Sequence, residues 1–333
     1  MTPRGDHRTG AHRTGHLNVP LSILDSSPID PGTTAADALR ETTTLARRAE
    51  DWGYHRMWVT EHHANRAVAG SCPPVLIAHL AAMTSTLRIG SGATLLPNHA
   101  PLAVAEQYAT LHALHGHRID LGIGRDPGTD PTLDAALRRQ SGDYEEQIRE
   151  LTGFLTGTFP PGHRYHGMSV AGAADADENA GLPLWILGAT RTSAGIAARF
   201  GRPFTFAHHL NPDDAVAAIA HYRDHFRPSC ALREPYAMVC VRAFASTSHR
   251  EATRVIRSVL RSDITAGSPA SRATAAITAN LAWGSAEHVV ERLEHTRART
   301  SADEIMVTGN FLPDAGLRQE SLRLIARAAG TGA

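Results

Sequence analysis

The chain contains no lysine; all 33 basic residues are arginine. That excludes Schiff-base catalysis and the lysine of a phosphate-binding P-loop. Cysteine is scarce and odd in number, at Cys72, Cys230 and Cys240. With no CxxC pair, neither a disulfide framework nor a zinc knuckle is expected, and a reducing cytoplasm fits. Excess charge is lacking too: 33 basic residues face 33 acidic ones. Bulk electrostatic attraction to nucleic acid or a membrane surface is therefore not expected. No apolar run approaches the length of about 18 residues that a membrane span needs. Aromatics make up only 5%, so the core is built mainly from Ala, Leu, Val and Ile.

What is present is 333 residues, 42% of them hydrophobic, enough for one large core. Twenty histidines turn the net charge positive as pH falls through the histidine range. Residues 1–16 repeat His-Arg-Thr-Gly and lack the apolar centre of a signal peptide. They read as a disordered tail, with residues 17–333 as one domain.

Eight hydrophobic runs alternate with helix-like stretches. Strands are expected at 17–24, 55–60, 87–93, 118–123, 184–187, 204–207, 236–245 and 304–307. Thr33-Thr34 caps the first helix and Gly53 stops it. Pro73-Pro74 and Pro101 open the next two, where a first-turn proline is tolerated. Further helices are expected at 144–155, from about 190, at 212–226, 286–297 and 316–328. This alternation predicts parallel strands joined by helical crossovers. An open doubly wound sheet shares the pattern, but eight units favour closure into an α/β (β/α)8 TIM barrel. The stretches 156–181 and 262–283 exceed a minimal barrel; both are excursions, either lids or plain connections.

In such a barrel the carboxyl ends of all strands share one face, and the active site sits there. Glu61-His62-His63 stands at one strand end. Adjacent residues on an extended chain point oppositely, so the histidines are a poor pair of ligands for one metal. One histidine is expected in the pocket and the other packed outward, with no metal ligand set. Gly122-Ile-Gly124-Arg-Asp-Pro-Gly128 is not a dinucleotide fingerprint, because its third glycine is displaced and Pro127 blocks a helical turn. Arg125 either forks onto a phosphate or makes a surface salt bridge. Gly188-Ala-Thr190-Arg-Thr192-Ser193 sets hydroxyls at a helix start, suited to an anion, although capping alone needs just one of them. The small residues of Ile89-Gly-Ser-Gly92-Ala93 suit close approach of a ligand or a tight bend. His208-His209 follows the sixth strand. Together with Glu61 these are candidate pocket-wall residues; a packed or solvated pair is the competing reading.

Three longer segments carry a resemblance. They are Gly53-Tyr-His-Arg-Met-Trp-Val-Thr-Glu-His-His63, Ile89-Gly-Ser-Gly-Ala-Thr-Leu-Leu-Pro-Asn-His-Ala-Pro101 and Gly116-His-Arg-Ile-Asp-Leu-Gly-Ile-Gly-Arg125. With Ala302-Asp-Glu-Ile-Met-Val307 in support, the chain resembles the bacterial luciferase-like, flavin-dependent monooxygenases over about 17–328. The resemblance implies a (β/α)8 barrel that binds reduced FMN at its carboxyl face. It implies reaction with O2 through a C4a-hydroperoxyflavin to oxygenate an organic substrate. The FMNH2 would come from a separate NAD(P)H:flavin reductase, which agrees with the lack of a nicotinamide fingerprint. His62 is implied as the base, Gly92-Ala93 as a non-prolyl cis peptide beneath the flavin ring, and Arg125, Thr190 and Ser193 as phosphate contacts. A cytoplasmic enzyme, in homodimers as relatives often are, completes the picture.

The sequence also departs from luciferase. Ala189 replaces an acidic residue, Gly124 replaces a reactive cysteine, and a lysine-rich mobile loop has no counterpart. The resemblance is therefore to stand-alone relatives, including tailoring enzymes of antibiotic biosynthesis, rather than to light emitters. The rival readings are an F420-dependent oxidoreductase, a flavin-binding barrel without turnover, and a metal-dependent hydrolase barrel.

Overall fold

The computed structural model of the chain describes residues 17–125, 130–171, 181–265 and 280–331. The expected tail at 1–16 lies outside the described residues. Eight strands form the barrel: β1 (Leu21–Asp25), β2 (Arg56–Val59), β3 (Arg88–Ser91), β4 (Ile119–Gly124), β5 (Leu184–Gly188), β6 (Phe204–Phe206), β7 (Ala237–Ser246) and β8 (Glu304–Thr308). Each pairs in parallel with the next, and β8 pairs with β1 through Leu21↔Ile305, which closes the ring. This is the (β/α)8 barrel expected. Two short strands lie off the ring. Thr94–Leu95 pairs with the end of β4, and Ala282–Ser285 pairs with the far end of β7.

The helix boundaries follow local chemistry. Ala35–Asp51 begins with a reciprocal box: the Thr34 hydroxyl accepts from the Asp37 amide at 3.2 Å and the Asp37 carboxylate accepts from the Thr34 amide at 2.9 Å. Gly53 follows at φ 75°, a left-handed position that only glycine adopts cheaply. Pro73–Ala82 and Pro101–His115 start on their prolines, and Gly116 ends the second at φ 63°. Strand β1 starts later than expected, at Leu21, because Pro20 has no N–H for the ladder.

Alternation along each strand separates two cores. On β7, Ala237, Val239, Val241 and Ala243 join the large layer between barrel and helices. Met238 and Cys240 point inward and pack with Leu24, Trp58, Trp185 and Met306. Below them the barrel floor is a buried charge cluster. Arg56 lies between Asp120 at 2.6 Å and Glu304 at 2.8 Å, and its guanidinium sits 4.8 Å from the Trp185 ring centroid. Floor and apolar plug fill the amino-terminal half, leaving open volume at the carboxyl end.

Three stretches carry detail beyond the expected elements. The helix His249–Thr265 was not anticipated; it packs Ala252 and Ile256 on a satellite core with Phe244, Leu281 and Leu312. The expected excursion at 262–283 therefore begins inside this helix and ends in the strand Ala282–Ser285, and 266–279 lies outside the described residues. The described part of the other excursion, 157–171, folds back on the helix Tyr144–Thr156. Phe159 stacks edge-on against Phe154 at 4.9 Å, over Gly153, where a Cβ would collide at 2.4 Å. That part is packed on the helix; 172–180 lies outside the described residues. Among the described residues no helix is long and apolar enough to cross a membrane.

Candidate active site

A cavity of about 810 Å³ opens at the carboxyl face, lined from the ends of all eight barrel strands. Glu61, His62, Gly92, Ala93, Arg125, Thr190, Ser193 and His209 all stand on it. His208 does not line it: the ring turns away, and its Nδ1 is buried without a hydrogen-bond partner. The two histidines sit in the turn after β6, where the His208 amide donates to the Phe206 carbonyl and the Leu210 amide to the Ala207 carbonyl, and the turn sends their rings apart. Burial, then Arg299, pulls the His208 imidazole down to about 4.

On the β2 side, the Thr60 hydroxyl engages His62 Nδ1 at 2.9 Å, and the His62 amide donates to the Gly70 carbonyl at 2.9 Å. His62 therefore presents its ring at the cavity edge. His63 turns the other way, onto Glu61. Glu61 is a pocket-wall residue whose carboxylate is already engaged. His63 Nε2 lies 2.6 Å and His99 Nε2 2.8 Å from Oε1, and the Leu95 amide donates to Oε2 at 3.0 Å. Burial pushes the Glu61 carboxyl up, but hydrogen bonds from His99, His63 and Leu95 outweigh it and hold it below the usual range. The ionised carboxylate thereby ties the segment after Gly92-Ala93 to the strand end carrying His62. Glu61, His63 and His99 have ligand atoms within 4.8 Å of one another, a set able to hold a metal ion. Each of those atoms is also within reach of a hydrogen bond inside the cluster.

The Gly92–Ala93 peptide bond is cis. Its position is set by Ser91, whose hydroxyl donates to the Gly122 carbonyl at 2.8 Å and accepts from the Gly122 amide at 3.1 Å. Only glycine allows this approach: a Cβ at Gly122 would stand 2.1 Å from the Ser91 carbonyl oxygen.

Between β4 and β5 the wall changes character. Arg125 is exposed at the cavity rim. Tyr144 lines the same end, and its buried hydroxyl has no hydrogen-bond partner. Burial raises its pKa while Arg125 opposes that shift. The helix Arg191–Arg199 starts here with Thr190 as its cap. The Ser193 amide donates to the Thr190 hydroxyl at 3.2 Å, and the Ser193 hydroxyl donates to the Thr190 carbonyl at 2.7 Å. Capping is thus real, and it places Thr190, Thr192 and Ser193 together on the cavity.

On the β6–β8 side, His209 Nδ1 lies 3.2 Å from the Cys240 carbonyl, and burial pulls its imidazole down to about 4, so it is neutral at pH 7. Arg242 and Thr308 also line this wall. Sequence reasoning missed both, along with Tyr144 and His99. Arg242 shares the period-2 parity of Met238 and Cys240.

Comparison with known proteins agrees with this architecture. The profile of the luciferase-like monooxygenase family matches residues 19–304. A luciferase-like monooxygenase of Escherichia coli (strain K12) is 43% identical over 238 residues, covering 70% of this chain and 69% of its own. The uncharacterized protein YvbT of Bacillus subtilis (strain 168) is 39% identical over 329 residues, covering 92% and 95%. The crystal structure of apo-MsnO8 matches with a TM-score of 0.82 and 33% identity, over 96% of this chain and 99% of that one. With the family profile spanning most of the barrel and relatives aligned nearly end to end, the chain belongs to the luciferase-like monooxygenases.

Proposed function

We propose that this family member is an FMNH2-dependent monooxygenase that oxygenates a small organic substrate with O2. The observation that carries the reading is one end of the cavity. There a rim guanidinium, an orphaned buried phenol and a hydroxyl-rich helix start converge. Arg125, Tyr144, Thr190 and Ser193 offer charge and donors to a phosphate at a helix N-terminus, where the dipole favours an anion. Beside them the Gly92–Ala93 strip, backed by glycine on β4, suits a flat ring. A cavity of about 810 Å³ lies high in the ~300–1,000 Å³ range of small-molecule sites, which suits a cofactor plus a substrate.

Bound reduced flavin would supply activation of O2 and transfer of one oxygen atom. The chain's own residues do the rest. Thr60 engages His62 Nδ1 and so orients the ring at the cavity edge, which supports His62 as the proton-handling group. Histidine suits this task because its ordinary pKa lies near neutrality. The Glu61 cluster orients the strand end that carries His62. Leu24, Leu187, Ile196, Met306 and Phe311 exclude water from the reacting region. We further propose a cytoplasmic enzyme, supplied by a separate NAD(P)H:flavin reductase, working as a homodimer in secondary metabolism of the antibiotic-forming kind.

The test is flavin titration. Arg125→Ala should weaken FMN binding by about 1.5–3 kcal/mol, the scale of hydrogen bonds to a charged group. Thr190→Ala should cost less, because its hydroxyl is neutral. Unchanged FMN affinity in a folded Arg125→Ala variant removes the phosphate assignment. Enzyme-dependent incorporation of labelled oxygen from O2 into product, with reduced FMN supplied, separates this activity from F420-dependent hydride transfer, which needs no O2.

A further inference from the structure

Arg242 is a cation the flavin phosphate does not need. Around an eight-stranded ring β7 lies four strands from β3 in either direction, so Arg242 faces Gly92–Ala93 across the barrel mouth. It points inward with Met238 and Cys240, four and two residues earlier on the strand. Its Nη1 donates to the His209 carbonyl, and among the described residues its side chain makes no other hydrogen bond and no ion pair. Burial depresses its pKa, and no carboxylate is among the groups acting on it. Three other arginines have carboxylate partners: Arg56 has Asp120 and Glu304, Arg318 has Asp30, and Arg223 has Asp303. A half-buried guanidinium without a counter-ion costs stability unless something supplies the anion.

A second observation points to the same spot. Thr308 is the register partner of Arg242 on β8, so both side chains project to the same side of the sheet. Thr308 is 5% exposed, and its buried hydroxyl has no hydrogen-bond partner. Both residues line the cavity. A guanidinium fork beside an orphaned hydroxyl matches the oxygens of a carboxylate.

We propose that Arg242 and Thr308 form the recognition site for a carboxylate on the organic substrate, which makes the substrate an organic acid. The inference rests on the flavin reading above, because a ring on Gly92–Ala93 leaves the β7–β8 wall to the substrate. The phosphate is taken by the β4–β5 end. The carboxylate anchors the acid so that its far end lies against the ring.

The probes are straight-chain carboxylates of two to ten carbons and phenylacetate, each paired with its amide. Binding is measured by calorimetry on the protein with and without FMN, beside a separate FMN titration. At least one acid should bind about tenfold or more tighter than its amide. Arg242→Gln should abolish that preference, a loss of about 10–100-fold for the acid, with little change for the amide or for FMN. Arg242→Lys should fall between, and Thr308→Val, nearly isosteric, should weaken the acid by a few fold. Equal binding of acids and amides by the wild-type protein overturns the proposal. So does an acid preference that survives in Arg242→Gln, or a variant that loses FMN while keeping the acid. Failure of wild-type protein to bind FMN strikes the flavin reading instead, and the flavin-free arm still reads the acid site.

Discussion

Replacing Arg56 with methionine tests the barrel floor. The residue is 5% exposed, and its guanidinium donates twice to Glu304, at 2.8 and 3.1 Å, and once to Asp120, at 2.6 Å. Both carboxylates are fully buried. Without Arg56, Asp120 keeps Arg88 and the Trp58 indole, while Glu304 keeps only the hydroxyls of Ser22 and Tyr236. Removing one partner of a buried pair costs about 3–5 kcal/mol. Methionine fills much of the stem's volume, so the cavity contribution stays small. Against a typical domain stability of about 5–15 kcal/mol, that is a large fraction. Urea unfolding at pH 8 should show it. The pH dependence identifies the cause. At Asp120, burial pushes the carboxyl up, Arg56 and Arg88 outweigh it, and the net result lies below the usual value. In the wild-type protein that stability is present above the unfolded value and lost as pH falls through the lower folded value. Without Arg56, burial is less opposed, and a buried carboxylate takes up a proton earlier as pH falls. The difference between variant and wild type should therefore shrink from pH 8 to pH 5. A loss of equal size at both pH values would show that volume, not charge, sets the cost, and the electrostatic account would be wrong.

Two further perturbations address the site. His62→Ala should keep FMN affinity within a few fold while product formation falls by about 10²–10⁴, the usual contribution of a general acid–base group. Hydrogen peroxide released per reduced flavin should rise in step, and full coupling to product would remove His62 from proton handling. Glu61→Gln should destabilise by about 1–3 kcal/mol, because an amide cannot accept from Leu95 and both histidines at once. Since the Glu61 carboxyl is held below its usual range, that difference should be full at neutral pH and fade as pH falls through the depressed value. A difference that grows in acid would contradict the cluster's assigned polarity.

The legible parts of this chain are those with one local solution. Thr34 and Asp37 can close a capping box without any distant partner, and Gly53 and Gly116 stop helices through backbone freedom alone. The strand ends were legible for a related reason. His62, Gly92, Ala93, Arg125, Thr190 and Ser193 each follow a hydrophobic run, and a closed barrel gathers all such ends. His208 was lost because the turn after β6 decides which of the two rings reaches the cavity, and local pattern does not specify that turn. The helix His249–Thr265 escaped because its apolar contacts serve a satellite core of long-range partners, Leu281 and Leu312.

Arg242 and Thr308 escaped for a deeper reason. They lie inside strands, and their shared register is made by two segments more than 60 residues apart in sequence. Both faces of a parallel barrel strand are apolar, so period-2 counting yields two parities without saying which is inside. Yet β7 carries its own answer. Its outward residues pack under helices, where an unpaired guanidinium would face only apolar side chains. The interior is tolerable for a charge only near the carboxyl end, where the cavity admits a counter-ion. A lone arginine six residues into an otherwise apolar strand therefore specifies its own parity, and with it a residue of the cavity wall.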